Sequence, residues 1–353
     1  MPEAENSLPV LIMGQGLAGS CLALQLFQCN VPFRVVDVPR LSNSSKVAAG
    51  LLNPLIFRYY TLSWRAVNYL DYSKEFYRKF ALVQGISLLH EIPLLRIFGR
   101  DESVLWSEKA IKAPFSKFMN PQILEVADDL RLEFGAGIVS AAAWIDTALF
   151  VSEVRQFLKS RNLLMEHEWD YARIASDDAS AAYDGTPYRC IVFCEGYRAK
   201  HNPFLAEIPF RPVKGDVITV RISNFRCNYI INKNFFLVPL GHDMFRLGSS
   251  YVWDFEDEQP DPEAAQKLLT DLKTFINKDV DVIQHQAGIR PAIADRRPVA
   301  GRIPGFNNLF VFNGLGSRGG LLAPPLAHYM ANLISGNNTT DPEVEPSRFL
   351  RSK

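Results

Sequence analysis

Three glycines and one carboxylate near the start of the chain carry the first chemical signal. The apolar run Val10-Leu11-Ile12-Met13 has strand length and stops at Gly14-Gln15-Gly16-Leu17-Ala18-Gly19, which opens into the helix-favouring segment Ser20 to Gln28. In a Gly-x-Gly-x-x-Gly turn the first glycine permits the tight turn and the second lets the backbone approach a pyrophosphate. The third lets the helix lie close on the strand, with its N-terminal N–H groups facing the phosphates. The strand and helix context matters, because 21 glycines form loose matches by chance. A second strand, Phe33-Arg34-Val35-Val36, ends on Asp37, 18 residues past Gly19, where a carboxylate for ribose hydroxyls belongs. The competing reading is an ordinary glycine turn with a surface aspartate.

Three further segments have chemical potential. Ser44-Ser45-Lys46-Val47-Ala48-Ala49-Gly50-Leu51-Leu52-Asn53-Pro54 is small where a flat ring can lie on backbone, and its hydroxyls can donate to phosphate. By itself it reads more simply as a loop. Arg290, in Gly288-Ile289-Arg290-Pro291, stands between an apolar residue and a proline, an awkward place for a surface arginine. A planar guanidinium held there suits a bidentate grip on a carboxylate, with a structural salt bridge as the alternative. Asn313-Gly314-Leu315-Gly316-Ser317-Arg318-Gly319-Gly320 puts four glycines in seven residues ahead of a helix. There N–H dipoles can stabilise negative charge, or the segment is merely a hinge.

The elements that must position these residues follow from periodicity. Tyr69, Tyr72, Phe76 and Phe80 recur at helical steps and predict a long helix with an aromatic core stripe. Ile92 to Phe98 reads as a strand, and Asp101 leads a helix to about Lys112. Asp146 caps a predicted helix to about Lys159, with Val151, Val154 and Leu158 on one face. Cys190 to Phe193 suits a buried parallel strand, and the small polar segment Ser176 to Gly185 reads as a surface loop. Between Pro212 and Trp253, strand-length pieces at Val217 to Arg221, Cys227 to Ile231, Phe235 to Leu240 and Phe245 to Ser250 predict an antiparallel sheet. Asp261-Pro262-Glu263 starts a helix to about Asn277. Leu309 to Phe312 is a strand, and a last helix runs from about Ala323 to Gly336.

Composition bounds the rest. At 353 residues the chain has room for two domains, or one interrupted by another. Its 48% hydrophobic and 22% charged residues are ordinary for a soluble globular protein. With 38 basic and 38 acidic side chains, the absent basic excess disfavours nucleic acid as a partner. No apolar run reaches bilayer length, and the acidic Met1 to Asn6 lacks a signal-like basic region. Cys21, Cys29, Cys190, Cys194 and Cys227 lack metal-ligand spacing and read as buried reduced thiols, so the expected compartment is the cytoplasm.

Taken in order, these motifs resemble the D-amino-acid-oxidase and glycine-oxidase-like family of FAD-dependent oxidoreductases. The likeness runs from Gly14–Gly19 and Asp37 through Ser44-Ser45, Ala49 to Pro54, Phe193-Cys194-Glu195-Gly196 and Pro212-Val213-Lys214-Gly215 to Gly288–Pro291 and Gly314–Gly319. The last two motifs also resemble the oxidase domain of the bifunctional enzyme that modifies tRNA wobble uridine.

The resemblance implies an α/β fold: a Rossmann-like FAD-binding domain at 1–60, 140–205 and 285–345, with an inserted mixed-sheet substrate domain at 61–139 and 206–284. It implies that Gly14, Gly16, Leu17, Ala18 and Gly19 hold the FAD pyrophosphate and Asp37 the ribose. Ser44, Ser45, Ala49, Gly50 and Leu51 would line phosphates and flavin, with Cys194 and Gly196 on the adenine side. Gly314, Gly316, Ser317, Arg318, Gly319 and Gly320 would face the flavin pyrimidine edge. Arg290 matches the arginine that grips the substrate carboxylate.

Two departures stand out. Phe236 replaces a tyrosine that glycine-oxidase-like members place at the substrate, and no cysteine near the C-terminal motifs offers a covalent flavin link. The resemblance therefore implies non-covalent FAD and a small anionic amine as substrate, oxidised at Cα–H, with oxygen or another electron acceptor. A flavin-dependent hydroxy-acid dehydrogenase, a tRNA-modification-type oxidase and a flavin-binding interaction protein without turnover are the alternatives.

Overall fold

The computed structural model describes residues 8–38, 43–127, 129–337 and 340–350. The N-terminal residues read above for the lack of a signal lie outside that set. Two compact units are present. The first comprises Met1–Lys46, Thr147–Val213 and Ile289–Lys353, and the second Val47–Asp146 and Lys214–Gly288. Residues 47–60 thus sit with the second unit.

In the first unit, strand β1 (Val10–Met13) lies between β2 (Phe33–Val36) and the strand Cys190–Phe193, parallel to both. Leu164–Met165 extends the sheet beside β2 and Leu309–Asn313 extends it beside Cys190–Phe193. Val299–Arg302 then closes that edge antiparallel. Every residue of β1 and of Cys190–Phe193 is buried, which explains their unbroken apolar runs: a strand covered on both faces cannot alternate.

Helix α1 (Leu17–Gln28) packs beside the helices Thr147–Ser160 and Gly319–Ile334. Leu11, Met13 and Phe193 share a core with Ala181, Tyr183 and Tyr188 of a small three-stranded sheet. That small sheet corrects one expectation. Residues 176–185 do not form a surface loop. Ile174–Ser176 and Ala181–Tyr183 make a hairpin, continued by Thr186–Tyr188. The Asp177 carboxylate accepts N–H bonds from Ala179 and Ser180, which sets the turn, while Ala181 and Tyr183 bury in alternation. A polar tip had masked a period of two.

The second unit is built on an eight-stranded sheet, in the order Val280–Arg290, Val213–Ile222, Met244–Gly248, Phe236–Gly241, Ile230–Asn232, Leu94–Ile97, Ala136–Val139 and Met119–Leu124. The consecutive strands between 213 and 248 pair antiparallel where they adjoin. Ile230–Asn232 runs parallel to Leu94–Ile97, so the sheet is mixed. It is also shorter than predicted, because Cys227 to Tyr229 lie outside it.

The helix Pro262–Lys273 is capped by Asp261, whose carboxylate accepts the Glu263 N–H at 2.9 Å. Its Leu268 and Leu272 press on the sheet with Phe245, Leu247 and Ile218, each burial contributing about 1.5–3 kcal/mol. It stops at Lys273, four residues before the predicted end. The aromatic stripe needs amending as well. In the helix Ala66–Gln84, Phe76 and Phe80 are buried, but Tyr72 faces solvent and Tyr77 takes the core place. Among the cysteines, Cys29 is exposed rather than buried. No helix among the described residues is long and apolar enough to cross a membrane.

Candidate functional site

The first glycine turn is shaped by close approaches. Gly14 has φ +103°, and a Cβ there would lie 2.5 Å from the Cys194 carbonyl oxygen. A Cβ on Gly19 would lie 2.0 Å from the Gly14 oxygen. Packing alone therefore demands glycine at both positions. Gly16 differs: its nearest neighbour is the Ser45 Oγ, 3.2 Å from a Cβ placed there. The Leu17 N–H donates to the same hydroxyl at 3.0 Å. Gly16 is the N-cap of α1 and offers no side-chain cap, and the first turn holds no acidic residue. A helix start whose N-cap residue has no side chain and whose first turn has no acidic residue fits an incoming pyrophosphate.

Asp37, at the end of β2, is already engaged. One carboxylate oxygen accepts the Gln15 N–H at 3.0 Å, and the other accepts Arg155 at 2.7 Å. Arg155 also bonds the Gln15 side-chain oxygen and Glu166. A carboxylate has about four acceptor positions, so Asp37 retains capacity for ribose hydroxyls while held rigidly by its partners. Sequence reasoning missed Gln15 and Arg155. Arg155 lies 118 residues from Asp37, and only its flanking Val151 and Val154 placed it on a packed helix.

The second glycine turn comes back to the first. Leu17 touches the space where Gly319 lacks a Cβ, at 2.9 Å. The Asn313 side chain donates to the Gly196 carbonyl at 2.9 Å and accepts the Gly314 N–H at 2.8 Å. The Gly316 N–H donates to the Pro291 carbonyl at 3.2 Å, next to half-buried Arg290. Ser317 and Arg318 complete a single 3₁₀ turn, and Gly320 is buried.

The last helix begins at Gly319, not near Ala323. Pro324 and Pro325 sit inside it. Its start also lacks a side-chain cap and acidic residues in the first turn, as α1 does. Gly14–Gly19, Ser44–Ser45, Asp37, Cys194–Gly196, Arg290 and Gly314–Gly320 all belong to the first unit.

Ala49, Gly50 and Leu51 belong to the second unit. Gly50 has a packing reason of its own there: with φ +67°, a Cβ would lie 1.9 Å from the Ile145 carbonyl oxygen. Leu51 begins a short strand paired with Trp144.

Beside the Gly14 turn lies a buried acid. Glu195 is 8% exposed and accepts Trp169 Nε1 at 3.0 Å, Tyr171 Oη at 2.6 Å and Asn202 Nδ2 at 2.8 Å. Burial outweighs these donors and pushes its pKa up to about 7. The neighbouring Cys194 thiol is driven well above its ordinary value by burial, so it stays protonated and inert.

A parallel sheet, a glycine turn at an uncapped helix start and a carboxylate ending the second strand define a dinucleotide-binding protein of the Rossmann type. The sequence pattern of the FAD dependent oxidoreductases (DAO) matches residues 9–333. The chain belongs to that family. It is 27% identical over 151 residues to a glycine oxidase of Pseudomonas aeruginosa, covering 42% of this chain and 41% of that protein. It is 25% identical over 354 residues to the tRNA 5-methylaminomethyl-2-thiouridine biosynthesis bifunctional protein MnmC of Idiomarina loihiensis, covering 94% of this chain and 56% of that protein. The matches thus span about half the length of these curated relatives or less. Among solved structures, glycine oxidase from Geobacillus kaustophilus superimposes with a TM-score of 0.82 at 19% identity, covering 95% of this chain and 96% of that one.

Proposed function

We propose that the first unit binds FAD without a covalent link and that the protein oxidises the Cα–H of an amino acid or N-substituted amino acid. The supporting observation is the bond from the Gly316 N–H to the Pro291 carbonyl, which ties Arg290 to the second glycine turn. In this reading the Gly16 to Gly19 N–H groups and Ser45 hold the pyrophosphate, and Asp37 takes the ribose. The uncapped start at Gly316 to Gly320 lies at the flavin, and Arg290 orients the substrate by its carboxylate. Bound FAD supplies the hydride acceptor, so the residues need only bind, orient and keep charge in place.

An anaerobic flavin-reduction screen over D- and L-amino acids, N-methyl amino acids and hydroxy acids tests the reading. Reduction by hydroxy acids alone would replace it with a hydroxy-acid dehydrogenase, and no reduction at all with a non-catalytic flavoprotein. Arg290→Ala should lower kcat/KM for the best carboxylate substrate by about 2–5 kcal/mol of transition-state binding, with its neutral amide little affected. Arg290→Lys should restore only part, since an ammonium cannot form the planar fork. Equal loss on carboxylate and amide with FAD retained would make Arg290 structural. The long match to the tRNA-modifying protein favours one second reading, an amine carried on tRNA. The same assay with tRNA as substrate decides it.

A further inference from the structure

The cation that holds Asp37 reaches further than one ion pair. Arg155 lies in the helix Thr147–Ser160, one turn past Val151. It and Asp37 are largely shielded from water, with side chains 18% and 19% exposed. Its Nη1 donates to Asp37 Oδ2 at 2.7 Å and to the Gln15 side-chain oxygen at 2.9 Å. Its Nη2 donates to Glu166 Oε1 at 2.7 Å, and the other Glu166 oxygen pairs with Lys159 at 2.8 Å.

Gln15 joins this cation to the glycine turn itself. Its side-chain nitrogen donates to Ser20 Oγ in α1 at 2.8 Å. The same nitrogen donates to the Val151 carbonyl, in the arginine's own helix, at 3.0 Å. Its backbone N–H donates to Asp37 Oδ1, the oxygen that Arg155 leaves. Every one of these residues lies in the first unit. The glycine turn, the end of β2 and the helix Thr147–Ser160 are thus tied together through one planar guanidinium.

These bonds decide which acceptor directions stay open on Asp37. Each carboxylate oxygen has one protein donor, which leaves about one lone pair on each for a ribose hydroxyl. With Arg155 removed, the carboxylate would keep only the Gln15 N–H and could turn about its soft terminal torsion. The Gln15 oxygen would lose its donor at the same time. Both amino groups of Arg155 are engaged by protein acceptors, so its action on a cofactor runs through Asp37.

We propose that Arg155 is a positioning residue for the adenosine half of the cofactor. With Gln15 it fixes the Asp37 carboxylate in the orientation that accepts both ribose hydroxyls. This rests on the reading of Asp37 as the ribose acceptor.

The test is a double-mutant cycle on FAD affinity. Equilibrium dialysis is run on the FAD-loaded wild type, Asp37→Ala, Arg155→Met, Arg155→Lys and the variant carrying both Asp37→Ala and Arg155→Met. Arg155→Met should weaken FAD binding by roughly 5- to 30-fold. Arg155→Lys should recover only part, since one ammonium cannot hold three acceptors in the plane of a guanidinium. The double variant should bind FAD within about twofold of Asp37→Ala alone, because Arg155 then has no carboxylate to act through. Losses that multiply in the double variant would overturn the proposal and make Arg155 a support for the fold. Should Arg155→Met fail to fold, the same cycle with Arg155→Lys decides. If Asp37→Ala weakens FAD but neither Arg155 variant does, this proposal fails and the ribose reading stands. If Asp37→Ala binds FAD as tightly as wild type, the ribose reading fails and takes the proposal with it.

Discussion

Replacing Glu195 by glutamine should change the pH dependence of stability in a defined direction. The folded protein holds this carboxyl at about 7, raised from 4.5 chiefly by burial. Between those values the folded state keeps a proton that the unfolded chain has lost. Stability conferred by the neutral acid is therefore fully present below pH 4.5, declines as pH rises, and stops falling once Glu195 ionises in the folded state near pH 7. Glutamine stays neutral throughout and lacks this decline. Its amide nitrogen meets the Asn202 donor that now faces a carboxylate oxygen, an offset that does not vary with pH.

The stability difference, glutamine variant minus wild type, should thus grow by about 2–3 kcal/mol between pH 5 and pH 8, from the two pKa values and 1.36 kcal/mol per unit. Urea unfolding of the FAD-loaded proteins at fixed free FAD measures it, since ligand binding adds its own stability. A difference that is flat with pH would refute the reasoning. So would one that shrinks as pH rises, because Trp169, Tyr171 and Asn202 would then be holding Glu195 ionised.

Asp37→Ala should weaken FAD binding by roughly 10- to 150-fold, from the charged hydrogen bonds lost to the ribose. Because Arg155 and the Gln15 N–H lose a partner too, the FAD-free protein should also lose about 1–3 kcal/mol. Equilibrium dialysis and urea unfolding separate the two, and unchanged FAD affinity would move the ribose contact elsewhere. Acid precipitation should release the flavin into the supernatant, whereas colour kept in the pellet would require a covalent link.

The motifs at Gly14–Gly19, Asp37, Cys190–Phe193 and Asp261–Pro262 were legible in the sequence because each rests on local physics. A strand buried on both faces must be apolar, a helix packed on a strand must start with small residues, and a capping aspartate acts on N–H groups two residues away. The same locality explains the misreadings. The last helix was expected from about Ala323, but the Gly319 turn already begins it, closed on Leu17 from the other end of the chain. The hairpin at Ile174–Tyr183 hid behind its polar tip because its core partners, such as Leu11 and Met13, are more than 150 residues away.

Tertiary structure alone decided that Asp37 is held by Arg155 and that Glu195 is a buried acid with three donors. Residue type and spacing determine what a segment can do. Which charge meets which, and which loses its water, depends on chain segments that only folding brings together.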